Sequence, residues 1–255
     1  MTTLTHARAG FPQALAYEWI KFSSVRSLIW TTVATAAVPV LGAVFVAATR
    51  SLQPDDTVLG ASLSLSVIAQ LLAAVVGALL ITGEYGTASI RTTFAANPRR
   101  GTVLAAKATL MAGVTYAVAL PSCTLACLVG DAMLEDDRYG QGEPWPALFG
   151  IAASFAVAAL LGLAVGTLVR HSAGAVSTVI GLLLLPSLLG PLFGGARRWI
   201  AGASPTAVLQ KLTQTSDATA DTVGSVGPWP SLLLVAGGTA ALLLLAGAVL
   251  HRRDT

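Results

Sequence analysis

The sequence predicts an all-α integral membrane protein with six transmembrane helices, an N-terminal interfacial amphipathic helix and a further short helix in the connection between the second and third spans. Three observations predict it. Hydrophobic residues make up 55% of the 255 residues and charged ones only 11%, too little charge to cover a soluble core of this size. Mean hydropathy is +0.75. Apolar stretches of about 20 residues, enough to cross about 30 Å of hydrocarbon as helices, recur six times.

Residues 1–27 precede the first span, and Phe11, Leu15, Phe22 and Val25 recur there at helical spacing, with Trp19 at the edge of the stripe. Pro12 suits the first turn of such a helix. Basic Lys21 and Arg26 and a tryptophan at headgroup depth fit a helix lying on the inner membrane surface. Glu18 falls inside the stripe, where it either is solvated or pairs with Lys21 or with a basic group of another segment.

The six spans are placed at 28–48, 59–82, 103–130, 147–169, 175–195 and 231–250, leaving 251–255 as a tail. Lys107 stands one turn inside the third, where its stem can snorkel to the headgroups. Ser62, Ser66, Gln70 and Ala74 recur every four residues in the second and share a face, which either lines a path or packs helices through small and hydrogen-bonding residues. Gly162 and Gly166 make a G-x-x-x-G face in the fourth, and Gly181, Pro186, Gly190 and Pro191 interrupt the fifth. Before the last span, Pro205 to Leu212 reads as a short outer helix capped by Ser204, with Val208, Leu209 and Leu212 apolar. Thr213 to Gly227 reads as a flexible loop.

Orientation follows from the basic residues of the connections. With the N-terminus inside, ten Lys and Arg (Arg8, Lys21, Arg26, Arg91, Arg99, Arg100, Lys107, Arg170, Arg252 and Arg253) lie on the cytoplasmic side. Five (Arg50, Arg138, Arg197, Arg198 and Lys211) lie outside. Both termini are therefore expected in the cytoplasm of a multi-pass protein of the cell's inner (plasma) membrane.

Several chemistries are excluded or disfavoured. The chain has no G-x-x-x-x-G-K-[ST] loop, so it lacks the backbone nest and lysine that hold nucleotide phosphates. His6, His171 and His251 are far apart, which suggests neither a metal cluster nor a catalytic triad. Cys123 and Cys127, four apart in an apolar run, share a helix face in hydrocarbon and form no disulfide framework. Ion-coupled carriers hold ionisable side chains near the midplane, and these spans carry none there. The net charge of +3 reflects basic residues at span ends, so no nucleic-acid partner is expected.

The informative segment is Gly83-Glu84-Tyr85-Gly86-Thr87 through Arg91 to Asn97-Pro98-Arg99-Arg100. Thr87 caps a short helix that Asn97-Pro98 ends, and Ile90 and Phe94, four apart, give it an apolar ridge. Flanked by Glu84, Arg91, Arg99 and Arg100, that ridge reads either as a docking knob for a soluble partner or as a basic loop held by anionic lipid.

On Glu18-Trp19-Ile20-Lys21 with Arg26, Gly83-Glu84-Tyr85-Gly86-Thr87 with Arg91, and Pro98-Arg99-Arg100 with Lys107, the chain resembles the type-2 ATP-binding cassette (ABC) permeases, specifically the small six-span bacterial kind. The resemblance implies an exporter subunit with no cofactor and no enzymatic activity of its own. ATP hydrolysis would lie in a separate ATPase subunit, and a second permease, identical or homologous, would complete the pathway. It also implies that the helix from about Thr87 to Asn97 is the coupling helix, that Glu18, Trp19 and Lys21 brace it, and that the outer helix caps the pathway. The rival readings are a non-transport membrane protein such as an assembly factor, and an intramembrane lipid-modifying enzyme.

Overall fold

The computed structural model describes residues 10–49, 56–96, 99–134, 140, 142–190, 192, 202, 204–216 and 218–252. His6, Asn97, Pro98, Pro191, the charged stretch at 135–139 and the segment at 193–201 lie outside them, so the expected stop at Asn97-Pro98 and the end of the fifth span do too. Among the described residues every regular element is a helix: α1 Phe11–Ser24, α2 Arg26–Thr49, α3 Val58–Ser62, α4 Ser66–Gly86, α5 Ser89–Ala96, α6 Arg100–Met133, α7 Pro144–Val169, α8 Ser172–Leu189, α9 Pro205–Thr213, α10 Ala220–Val223 and α11 Pro228–Arg252. Six of them, α2, α4, α6, α7, α8 and α11, are long and apolar enough to cross a membrane. The protein is a multi-pass membrane bundle.

At the centre α4 and α7 pack along each other, with α2, α6, α8 and α11 around them. Apolar surface alone drives little helix association in lipid, so close approach of small residues matters more. A Cβ on Gly162 would lie 1.9 Å from the Ala74 carbonyl oxygen, and one on Gly77 would lie 1.9 Å from that of Ala159. A Cβ on Gly166 would lie 2.7 Å from Ile81 Cγ2 and 2.9 Å from the Ala78 carbonyl oxygen. The G-x-x-x-G face of the fourth span is thus the seat of α4.

The second span is not one helix. It breaks at residues 63–65 into α3 and α4, so Ser62 and Ser66 do not share a continuous face. Serine hydroxyls compete with the helical ladder, and Ser62 Oγ donates to the Val58 carbonyl at 2.6 Å. At its other end α4 runs on to Gly86, which places Glu84 and Tyr85 within a helix instead of a loop. Thr87 accordingly closes α4, donating from Oγ1 to the Gly83 carbonyl at 2.9 Å, rather than opening α5. α6, at 34 residues, is about 51 Å long and projects beyond the hydrocarbon.

Before the last span α9 forms as expected, with Ser204 Oγ accepting from the Ala207 amide at 3.1 Å and Val208, Leu209 and Leu212 buried. The stretch expected as a flexible loop contains the helical turn α10. Pro186 lies inside α8, which continues to Leu189 without a stop.

Candidate functional site

The charged side chains converge at the end of the bundle that carries α1, α5 and the first turns of α6. On α1 the packed face is Ala14, Glu18 and Phe22, one per turn. The expected apolar stripe is therefore split. Phe22 is buried, but Phe11, Trp19 and Val25 are exposed, because the chain turns away at Val25 and the buried face centres on Glu18. Trp19 keeps contact with the helix by stacking on Phe22 at 6.2 Å.

Glu18 is buried without being solvated. Lys107 Nζ donates to its Oε2 at 2.6 Å and also donates to Glu84 Oε1. Lys21 Nζ donates to the same Glu84 oxygen and, at 3.1 Å, to Thr93 Oγ1. Lys107 does not snorkel: α6 begins at Arg100, so its ammonium lies two turns deep and is 0% exposed. Nor does Glu18 pair with Lys21. The four residues form a chain of alternating sign, neutral as a group, that joins α1, α4, α6 and, through Thr93, α5.

Neutrality is what makes the cluster tolerable. A lone ammonium or carboxylate taken out of water costs several kcal/mol, and mutual attraction offsets this only when each charge has close partners. Lys107 has two carboxylates and Glu84 has two ammoniums, although Glu84 Oε2 has no partner. The Lys21 ammonium, 22% exposed at its side chain, also lies 5.1 Å from the Tyr17 ring centre.

The expected docking ridge is turned inward. Ile90 is 4% and Phe94 9% exposed, packed in one cluster with Phe22, Leu28, Leu80 and Val103. Two apolar residues one turn apart mark the buried face of a short helix at least as readily as an exposed knob, and here the bundle supplies the partner surface. What α5 and its approach leave exposed is Gly86, Thr87, Ala88, Arg91, Thr92 and Ala95. Arg99 is exposed as well. Arg100 is half-buried, its Nη1 donating to the Leu250 carbonyl at 2.7 Å and its guanidinium 5.3 Å from the Phe94 ring centre.

Sequence reasoning missed two members of this end. Arg170, in the left-handed conformation that ends α7, lays its guanidinium over the Tyr85 ring at 5.3 Å. Thr93 is buried between Lys21 and the Ser89 carbonyl. A signal for the larger cluster was present: an acid inside an apolar stripe and a lysine inside an otherwise uncharged span are complementary anomalies.

Ser62, Ser66 and Gln70 are 0% exposed. Ser62 seats against Gly130 of α6. Gln70 Nε2 donates to the Pro205 carbonyl at 3.1 Å, fastening α4 to α9, while Gln70 Oε1 and Ser66 Oγ are buried without a partner. Among the described residues no group of His, Cys, Asp and Glu is arranged to hold a metal ion, and Cys123 and Cys127 are free thiols buried in the core. The arrangement binds helices together through charge. No protein-family model and no curated protein matches this chain.

Proposed function

We propose that the chain is the permease subunit of an ATP-binding cassette exporter, with α5 as coupling helix and α1 as its brace. The observation that carries the reading is the neutral cluster of Glu18, Lys21, Glu84 and Lys107. It fastens the short helix α5 to two spans and to α1, so that a displacement of α5 is passed to α4 and α6 instead of being absorbed in a loop. A switch between two bundle arrangements needs differential contacts of this kind. ATP hydrolysis belongs to a separate subunit on the cytoplasmic side of the plasma membrane. A second six-span subunit completes the pathway.

In this reading the contact surface for the ATPase is the exposed set Gly86, Thr87, Ala88, Arg91, Thr92 and Ala95, while Ile90 and Phe94 hold α5 on the bundle. Ser66 Oγ and Gln70 Oε1 offer polar contacts to the transported molecule when α9 lifts. The chain, tagged and purified from its native membranes, is expected to carry vanadate-sensitive ATP hydrolysis. Arg91→Glu with Ala95→Glu, both on the exposed face, removes that activity without changing thermal unfolding of the chain. A folded chain that hydrolyses no ATP and brings no ATPase with it returns the protein to the non-transport reading.

A further inference from the structure

A cleft of about 310 Å³ runs between the first turns of α6 and the last turns of α11. Its width comes from small residues, Gly101 and Ala105 on one wall and Gly247 and Ala248 on the other, with buried Leu104 at its floor and exposed Leu244 at its rim. The one polar side chain in the lining is His251, at the end where α6 begins. A Cβ on Gly101 would lie 3.4 Å from His251 Nε2, so the missing side chain lets the imidazole close over the first turn of α6. From Leu243 to His251 the cleft extends about 12 Å along α11, from headgroup depth into hydrocarbon.

Among the described residues the charged side chains at the mouth are of one sign: Arg252 follows His251, Arg99 and Arg100 open α6, and no acidic residue lines the cleft. Arg100, donating to the Leu250 carbonyl, ties the two helices together at this end. An occupant must be apolar along its length and anionic at one end.

We propose that this cleft binds an anionic phospholipid of the leaflet on the α1 side, one acyl chain between α6 and α11 and the phosphate beside His251 and Arg252. The chemistry is that of basic pockets at the ends of transmembrane helices, and it stands whether or not the chain is a transporter. A second copy of the chain would have to bring an apolar segment ending in a negative charge into a slot this narrow. A lipid has that shape already.

The test is native mass spectrometry of the full chain released from nanodiscs holding equal phosphatidylglycerol and phosphatidylcholine. The expected result is one retained phosphatidylglycerol per chain, favoured roughly fivefold over phosphatidylcholine. Ala105→Phe with Ala248→Phe fills the cleft; both alanines are exposed, so nothing in the core is displaced, and retention is lost. His251→Gln with Arg252→Gln leaves the cleft open and brings the two lipids to parity. That second pair carries the test alone if the first fails to fold. Equal retention in the unmodified chain overturns the proposal, as does an unchanged preference in the filled variant. A change in oligomeric mass on filling the cleft overturns it too, by making the cleft a protein seat.

Discussion

Lys107 sits two turns inside α6 with no exposed surface, and that depth decides what its ammonium can do. It cannot reach headgroups or water, and its partners are Glu18 and Glu84. Replacing a buried ion pair by apolar residues is often harmless, whereas removing one member leaves a buried charge alone at a cost of about 3–5 kcal/mol. Lys107→Met is therefore expected to lower the thermal midpoint steeply, because Glu18 loses its partner and Glu84 keeps only Lys21. Adding Glu18→Met restores local neutrality and recovers much of the loss. Midpoints for the two single variants and the double form a cycle that isolates the coupling; strict additivity would show that the pair does not act as a unit. This cluster was half legible in sequence. Glu18 and Lys107 each stood out against apolar surroundings, but their separation of 89 in sequence is bridged only by packing α1 on α6, a long-range contact that no spacing rule supplies.

Among the elements, α4 and α7 set the geometry of everything else, and their contact rests on glycines whose added Cβ would strike a backbone oxygen at 1.9 Å. A clash with backbone cannot be relieved by a rotamer change, so α4 and α7 must separate. Gly162→Val is expected to destabilise by at least the 1–3 kcal/mol usual for overpacking. Gly237→Ala in α11, where nothing lies within 4 Å, should leave unfolding unchanged or raise its midpoint. Thermal scans of the two purified variants in one detergent check the contrast, and equal midpoints would mean that the α4–α7 approach is looser than described. The six long helices were legible because hydrocarbon imposes their length and apolarity. Their ends were less so. Nothing in composition stopped α4 from running past Thr82 to Gly86, and the break at residues 63–65 depends on serines that read equally well as a polar face. For the same reason Ile90 and Phe94 could be assigned to one face of α5 but not to the side on which that face is covered.

For the whole molecule the open quantity is direction. Lys107 entered the orientation count as a connection residue, yet it is buried and paired, so it belongs to the bundle and not to the aqueous edge. The ten basic residues counted for the α1 side become nine against five, still the bias expected of a cytoplasmic side. Chain chemistry offers a direct test, because Cys123 and Cys127 are buried in α6 and should stay silent toward a membrane-impermeant maleimide. New thiols at exposed Thr92 in α5 and exposed Ala220 in α10 then report opposite faces. In intact cells Ala220→Cys is expected to label at once and Thr92→Cys only after lysis. Labelling of both before lysis would break the odd number of spans, α6, α7 and α8, between them. The reverse pattern would put α5 outside, away from ATP, and the exporter reading would fall with it, whereas the lipid site would stand and move to the outer leaflet. The direction of the bundle thus separates what the cleft binds from what the charge cluster drives.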